Sequence, residues 1–287
     1  MANDTGNDVD AINEGIPYVF DVSKARFWVH YGFVAAGFLL AVITYFSQCK
    51  EPAPYGKHAS DAPKKGWGPM IPQRLGHMAS DGFCCVLFFV MIYAAYGENN
   101  TSYTGYVFLA MWLAHYVHRG LLHPLLMRYS RSHVQLGIVA GTVAPNLLYS
   151  FINSDWISSA KYDNYYYRDP RFIIGIVLFL VGYIMNRWAD LRLRRLRQEP
   201  SILNDGSAQK YAMPRGGLFD YVTCPNYLGE ATEWLGWAIA TWSLAGLVWL
   251  LFCLATFVPR AMHNHTWYKT TFSNYPTQRK ALIPFVY

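Results

Sequence analysis

The sequence is poor in charged residues. Only 15% of its 287 residues are Asp, Glu, Lys or Arg, against roughly a quarter in soluble domains, which is too few to cover a soluble surface of this size. Hydrophobic residues make up 53% and aromatic residues 17% of the chain, and this apolar content excludes an intrinsically disordered protein. These proportions are typical of a membrane protein with many aromatic side chains at its interfaces.

Cysteine motifs and the common nucleotide-binding motifs are also missing. The five cysteines form no CxxC pair and no cluster with histidine, so we expect neither a disulfide framework nor a metal site. No GxGxxG follows a strand, and there is no GxxxxGK motif followed by Ser or Thr, which argues against Rossmann-type and P-loop sites. A nucleotide bound by this chain would therefore lie among helices.

Apolar runs predict an all-α integral membrane fold with seven transmembrane helices. A spanning helix needs about 20 mostly apolar residues, and the last run is long enough for two spans joined by a turn near Ser243. Six spans are the alternative. We expect an acidic N-terminal segment at 1–26 followed by a single membrane domain at 27–287. The apolar runs lie at 27–46, 82–96, 104–117, 134–152, 172–185 and 234–258.

Lysine and arginine are distributed unevenly between the connections. Most of the 24 basic residues fall at 50–74, 119–131, 187–215 and 260–280, after the first, third, fifth and seventh predicted spans. Because basic loops remain in the cytoplasm, we expect the N-terminus outside and the C-terminus in the cytoplasm. This asymmetry explains the net charge of +6 without a nucleic-acid partner, and no obligate protein partner is evident.

Two polar stretches adjoin the apolar runs at membrane depth, where ionisable groups usually mark function. The first ends in Asp81, which is either a helix N-cap or a carboxyl group that faces a cavity. The second places Tyr116, Arg119 and His123 at the helical spacing i, i+3, i+7, which predicts one shared face lining a wet pocket. An interfacial belt is the alternative, and a metal site lacks a completing carboxylate or cysteine.

A third polar stretch combines arginines with amides and carboxyl groups near the last three spans. Guanidinium groups match the geometry of phosphate oxygens, and a neighbouring Asp or Glu can accept ribose hydroxyls. The alternative is ordinary flanking charge on a cytoplasmic loop, which does not explain the interleaved amides and tyrosine. The residues at helical spacing are Asn186, Asp190, Arg194 and Arg197, then Asn226 and Glu230, then Arg260, Asn264 and Tyr268.

With these stretches the sequence resembles the steroid 5α-reductase family (3-oxo-5α-steroid 4-dehydrogenases), in the form of a bacterial homologue. The resemblance implies a seven-helix membrane enzyme that binds NADPH from the cytoplasm and reduces the C4–C5 double bond of a Δ4-3-ketosteroid. The chain would divide into a substrate-side half at 27–168 and an NADPH-binding half at 169–287. The similar segments are HYVHR at 115–119, GGLFDY at 216–221, NYLGE at 226–230 and RKALIPF at 279–285.

The resemblance also implies roles for individual residues. Tyr116 and Asp81 would be catalytic and would stabilise an enolate at the 3-oxygen, with Ser80 and His77 in the substrate pocket. Ser80 and Asp81 replace the family's usual Gln-Glu pair, and the shorter aspartate changes the reach of the carboxyl group. The cofactor-binding residues would be Asn186, Asp190, Arg194, Arg197, Tyr211, Asn226, Glu230, Arg260, Asn264 and Tyr268.

Three other functions fit parts of the pattern. One is an S-adenosylmethionine-dependent membrane methyltransferase of the same superfamily, but its methyl donor carries no phosphate for the arginines. Another is reduction of a non-steroid lipid enone, and the third is a non-enzymatic receptor or transporter, which gives no reason for the placement of Tyr116 and Asp81. For the reductase we expect a multi-pass protein of a bacterial inner membrane or the endoplasmic reticulum, which takes its substrate from membrane lipid.

Overall fold

The chain folds into a bundle of seven helical rods within the residues that the structure describes. A computed structural model describes residues 24–54, 56–58, 65–127, 129, 132–197, 201–202, 208–209 and 211–286. Most of the predicted acidic segment, at 1–23, and the last residue of the predicted membrane domain, Tyr287, lie outside the described residues, as do parts of the basic connections.

Successive rods run in opposite directions. One short antiparallel strand pair joins the α1–α2 and α3–α4 connections, and a second lies within the α5–α6 connection. The helices are α1 (Ala25–Lys50), α2 (Gln73–Tyr96), α3 (103–126), α4 (Leu136–Ser159), α5 (Pro170–Leu196), α6 (Pro225–Thr241) and α7 (Leu244–Thr271). The strands are β1 (Met70–Pro72), which pairs with β2 (His133–Gln135), and β3 (Ser201–Ile202), which pairs with β4 (Ala208–Gln209). Short 3₁₀ turns occupy Gly56–His58, Tyr166–Arg168 and Gly217–Asp220.

Five of the helices, α1, α2, α4, α5 and α7, are long and apolar enough to cross a bilayer. Large apolar side chains point outward from them, such as Leu39 on α1 and Ile184 on α5, which are 61% and 65% exposed. Outward apolar faces are expected where the surroundings are lipid, so the predicted helical membrane fold is confirmed at this level. Seven crossings and their sidedness stay predictions, because α6 has only 17 residues and α3 is segmented.

Helix α2 begins earlier than the apolar run predicts. It starts at Gln73, so Asp81 lies inside the helix and the N-cap interpretation is wrong. The predicted start at residue 82 is also wrong, because the first turns of α2 carry polar side chains on their inner face. A continuous helix places this inner face, including Asp81, against the neighbouring helices.

Two π-helical stretches, one in α2 and one in α3, lie directly against each other. They cover Met78–Phe88 in α2 and Val117–Leu122 in α3, and in such stretches each N–H bonds to the fifth residue back. Their closest approach joins two glycines, since a Cβ added to Gly120 would lie 2.4 Å from the backbone nitrogen of Gly82. Only glycine permits this approach, and it brings the polar parts of α2 and α3 together.

Helices α5 and α6 are also in direct backbone contact. A Cβ added to Gly182 would lie 2.2 Å from the backbone nitrogen of Glu233, and one added to Gly236 would lie 2.4 Å from that of Phe179. Small residues at such contacts are common in membrane helices. Because of this contact, the side-chain nitrogen of Asn186 on α5 donates to the backbone oxygen of Asn226 on α6 at 2.8 Å.

The predicted turn between the last two spans is confirmed. Trp242 adopts a left-handed conformation with φ of 45°, and this ends α6. The hydroxyl of Ser243 then accepts a hydrogen bond of 2.9 Å from the backbone N–H of Gly246 and caps α7. Together the two residues reverse the chain with almost no loop.

The interior is dominated by aromatic rings, with an ionic cluster at the end of the bundle where α1 begins. Trp112 and Trp234 have ring centroids 5.4 Å apart and are fully buried. In the ionic cluster the fully buried Asp155 of α4 binds Arg26 and, at 2.8 Å, His30, both on α1. The cluster joins α1 to α4 at this end of the bundle. None of its residues lines the cavity that opens at the other end.

Candidate functional site

A cavity of about 250 Å³ opens at the end of the bundle where α1 finishes. Its walls come from the C-terminal ends of α3, α5 and α7 and the N-terminal ends of α2 and α6. The connections that carry most of the basic residues gather at this end. Since ligand pockets usually measure about 300–1,000 Å³, a dinucleotide would fill the cavity and extend beyond it.

Most of the residues predicted for the site line this cavity. Ser80, Tyr116, Asn186, Arg194 and Glu230 do not belong to its described wall. Asn186 and Glu230 lie directly behind it, where the amide of Asn186 donates to a carboxyl oxygen of Glu230 at 3.2 Å. The predicted residues that do line the cavity are His77, Asp81, Asp190, Arg197, Tyr211, Asn226, Arg260, Asn264 and Tyr268.

Asp81 reaches the cavity from the π-helical part of α2. Its Oδ1 accepts a hydrogen bond of 3.0 Å from Nδ2 of Asn146 on α4 and lies 3.2 Å from the hydroxyl of Ser80. The neighbouring His77 also lines the cavity. The sequence pointed to Ser80 and His77, but nothing in it pointed to Asn146, because a lone asparagine in an apolar helix forms no motif.

Tyr116 is buried among aromatic side chains and does not line the cavity. Its ring centroid lies 4.9 Å from that of Trp112 and 5.8 Å from that of Trp234. The predicted shared face is therefore wrong for Tyr116, although Arg119 and His123 both line the cavity. The π-helical stretch after Tyr116 explains the difference, because its residues do not follow the 3.6-residue period on which the prediction rests.

Asp190 on α5 is surrounded by cationic and imidazole groups. Its Oδ2 lies 3.6 Å from Nη1 of Arg119, 3.7 Å from Nδ1 of His123 and 4.0 Å from Nη2 of Arg187. This oxygen is buried and accepts no hydrogen bond from the described residues. A buried acceptor of this kind is usually satisfied, so a hydroxyl group of a ligand fits here.

A row of polar side chains leads from behind the cavity wall into the interior, and it consists of Glu230, His115 and Glu233. His115 lies 3.8 Å from Glu230 through Nε2 and 2.8 Å from Glu233 through Nδ1. His115 and Glu233 are both fully buried. His115 belongs to a segment that carries the family resemblance, but spacing alone assigned neither residue a role.

On α7, two of the predicted cofactor residues already contact the connection that follows α1. Arg260 donates through Nη1 to the backbone oxygen of Ala53 at 3.2 Å, and Asn264 Oδ1 lies 2.9 Å from Nε2 of His58. Arg260 also donates through Nε to the hydroxyl of Tyr227 at 3.1 Å. Ala53 and His58 of this connection therefore lie beside the cavity wall.

Tyr129 is a further wall residue, between α3 and β2. Its ring stacks on that of His77, with centroids 5.3 Å apart and an interplanar angle of 14°. Burial raises the pKa of the Tyr129 phenol to about 12, so the group stays neutral and donates a hydrogen bond at ordinary pH. No sequence signal pointed to Tyr129, because it belongs to no motif.

The donor set of the cavity suits a phosphate-bearing nucleotide. The wall contains the guanidinium groups of Arg119, Arg197 and Arg260, which match phosphate oxygens. The unsatisfied oxygen of Asp190 suits a ribose hydroxyl. Within the described residues no group of His, Cys, Asp and Glu side chains is arranged to hold a metal ion.

Comparison with known proteins gives a consistent result over most of the chain. The family profile described as 3-oxo-5-alpha-steroid 4-dehydrogenase matches residues 132–287. A steroid 5-alpha-reductase of Solanum lycopersicum is 39% identical over 241 residues, which cover 82% of this chain and 88% of that protein. Its counterpart in Arabidopsis thaliana is 37% identical over 265 residues, covering 88% and 94%. The 3-oxo-5-alpha-steroid 4-dehydrogenase 1 of Homo sapiens is 39% identical over 184 residues, covering 63% and 67%.

Proposed function

Because the chain belongs to the 3-oxo-5-alpha-steroid 4-dehydrogenase family, and is thus an oxidoreductase of steroid metabolism, we propose that it reduces the C4–C5 double bond of Δ4-3-ketosteroids with NADPH. One observation carries the proposal. A single cavity joins the carboxyl group of Asp81 to a wall that contains Asp190 and three guanidinium groups. Such a cavity can bring an acid, an oily ketone and a phosphate-bearing cofactor together.

The cofactor half of the proposal concerns the wall around Asp190. Arg119, Arg197 and Arg260 would bind phosphate groups, and Asp190 would accept a ribose hydroxyl. NADPH supplies the hydride when bound, and the protein positions it and excludes water. The other proposed cofactor residues are Asn186, Arg194, Tyr211, Asn226, Glu230, Asn264 and Tyr268.

The substrate half of the proposal concerns Asp81. When hydride reaches C5 of the enone, negative charge builds on the 3-oxygen, and a proton then reaches C4. A neutral carboxylic acid can donate a hydrogen bond to that oxygen, and one well-placed donor lowers such a barrier by about 3–4 kcal/mol. His77 and Ser80, which flank Asp81, would shape the substrate pocket.

Tyr116 would be the second donor to the 3-oxygen. Neighbouring aromatic rings cover Tyr116 and separate it from the described cavity wall. Its contact with the ketone therefore requires that substrate binding uncovers it. Asp81 needs no such movement, because it already reaches the cavity.

The orientation in the membrane is part of the same proposal. We place the N-terminus outside and the cavity at the cytoplasmic face, with seven crossings in a multi-pass membrane protein. The support is that the basic connections and the cavity share one end of the bundle. The half at 27–168 contributes Asp81 and the half at 169–287 contributes Asp190, in line with a substrate-side half and a cofactor-binding half.

The test is to incubate the purified protein with NADPH and a panel of enones and to identify the products. Asp81→Asn and Tyr116→Phe should each lower turnover of a Δ4-3-ketosteroid by about 100-fold or more, on the scale of one lost donor, while NADPH still binds. Asp163→Asn is the matched control, since this carboxyl group is exposed in the connection between α4 and α5, at the opposite end of the bundle.

The cofactor assignment has its own measurement. Arg197→Ala and Asp190→Ala should raise the KM for NADPH with a smaller change in kcat. Unchanged cofactor kinetics would show that these charges only flank the membrane. Stabilisation of the protein by S-adenosylmethionine but not by NADPH in a thermal-shift assay would contradict the reductase and favour a methyltransferase.

A further inference from the structure

The side-chain amide of Asn146 on α4 has a fixed orientation. Its nitrogen lies 2.9 Å from the backbone oxygen of Ser80 and 3.0 Å from Oδ1 of Asp81. A backbone oxygen only accepts hydrogen bonds, so the NH₂ end of the amide must face this pair. Both of its hydrogens are then used, one on Ser80 and one on Asp81.

The two oxygens of the Asp81 carboxyl group are therefore not equivalent. Oδ1 accepts the hydrogen bond from Asn146 and lies 3.2 Å from the hydroxyl of Ser80, which also lies 3.2 Å from the backbone oxygen of His77. Both of the contacts that Asp81 makes with other described side chains end on Oδ1. The carbonyl oxygen of a carboxylic acid is a better acceptor than its hydroxyl oxygen, so the hydrogen bond from Asn146 favours Oδ1 as the carbonyl oxygen and Oδ2 as the oxygen that carries the proton of the neutral acid.

We infer that Asn146 is a positioning residue that keeps the acidic proton of Asp81 on Oδ2, where it can be donated to the ketone oxygen of the substrate. The inference rests on the proposed function. It extends it by naming a residue that touches neither substrate nor cofactor and acts only through Asp81. An acid with its proton on the wrong oxygen would present an acceptor to the enolate and would repel it.

A purely structural role for Asn146 is the competing explanation. The amide of Asn146 donates to the backbone oxygen of Ser80 at 2.9 Å and so joins α4 to the π-helical stretch of α2. Under that explanation, loss of the amide would weaken the fold whether or not Asp81 carried an acidic proton. The two explanations therefore differ in how Asn146 couples to Asp81.

A double-mutant cycle separates them. Asn146→Ala should lower kcat for a Δ4-3-ketosteroid by about 10- to 100-fold, the range expected for a displaced reacting group, and leave the KM for NADPH unchanged. In the Asp81→Asn background there is no acidic proton to place, so the same substitution should lower the residual kcat by less than about threefold. Asn146→Leu removes the amide but fills the space, and it should change kcat by the same factors as Asn146→Ala in both backgrounds.

Asn153 supplies the matched control. It lies on the same helix, is fully buried, and donates to the backbone oxygens of Tyr149 and Ala245 at 2.9 and 3.3 Å. Asn153→Ala should lower thermal stability and change kcat by the same factor in both backgrounds. It thus shows what the loss of a structural amide looks like in this protein.

Each outcome of the cycle decides a definite point. An equal loss of kcat from Asn146→Ala with and without Asp81 would overturn the inference and leave the proposed function intact, as would full activity of Asn146→Ala and Asn146→Leu. Full activity of Asp81→Asn would overturn the role of Asp81 and the inference with it, whereas no turnover of a Δ4-3-ketosteroid by the wild type would overturn the proposed function. A loss confined to the background that retains Asp81 supports both.

Discussion

One added methyl group tests the contact between α5 and α6. In Gly182→Ala the new Cβ would lie 2.2 Å from the backbone nitrogen of Glu233 and 2.5 Å from the backbone oxygen of Gly229. Non-bonded carbon atoms prefer about 3.5–4.0 Å, so the helices must separate by on the order of 1 Å. Both opposing atoms belong to the backbone, and no side-chain rotation can relieve the clash.

The size of the effect follows from two opposing contributions. Overpacking costs about 1–3 kcal/mol, whereas replacing a glycine inside a helix by alanine stabilises by about 0.5–1 kcal/mol. The net loss of stability should be up to about 2.5 kcal/mol. Asn186 lies one turn beyond Gly182, and its 2.8 Å bond to Asn226 crosses the same contact. We therefore also expect the KM for NADPH to rise about tenfold, or 1.4 kcal/mol.

The assay compares thermal unfolding in detergent and the KM for NADPH in three proteins, the wild type, Gly182→Ala and Gly32→Ala. Gly32 makes the control matched in chemistry, because it lies on the exposed side of α1 and a Cβ added there meets no atom within 4 Å. Gly32→Ala should be at least as stable as the wild type. If Gly182→Ala shares the stability and KM of the wild type, the described backbone contact does not exist.

Two further perturbations follow from polar contacts away from the cavity wall. At the start of α5, hydrogen bonds from Arg171 hold the pKa of Asp169 below its usual range; its stabilisation is complete above the unfolded-state pKa of about 4 and is lost as pH falls through the lower folded-state pKa. Thermal unfolding of Asp169→Asn should therefore differ from that of the wild type at about pH 6 and converge with it as pH falls through the lowered pKa of Asp169. A difference that persists below that pKa would contradict this. In the interior, His115→Ala leaves the buried carboxyl group of Glu233 without its 2.8 Å partner and should lower stability by about 1–3 kcal/mol. Replacing both residues by leucine should recover much of that loss in denaturation experiments, and an equal loss in the double variant would argue against the pair.

The sequence predicts the membrane helices well because lipid-facing side chains are apolar whatever the inner side carries. The predicted run 27–46 falls inside Ala25–Lys50, and the turn near Ser243 lies where the chain reverses. The predicted start of α2 is too late for a different reason. Its inner face is polar where it lines the cavity, so the first turns do not read as part of an apolar run.

Residue type and spacing together predict Asp190 and Arg197 as cofactor-binding residues. The structure places both in the cavity wall, and their roles stay predictions. The burial of Tyr116 could not be predicted, because the α-helical period on which the prediction rests does not hold in the π-helical stretch that begins at Val117. Asn146 was missed because its role comes entirely from a partner on another helix.

Because α2 contains a π-helical stretch, its number of residues decides how its two ends are rotated relative to each other. Deleting one residue within Met78–Phe88 would let the segment return to α-helical bonding and would rotate everything before the deletion by about 100° relative to everything after it. Such a protein could still insert into a bilayer, since the shortened helix would remain apolar and long enough. It would, however, turn Gln73 and His77 away from their present neighbours, so natural length variation should be tolerated in the surrounding loops and selected against here.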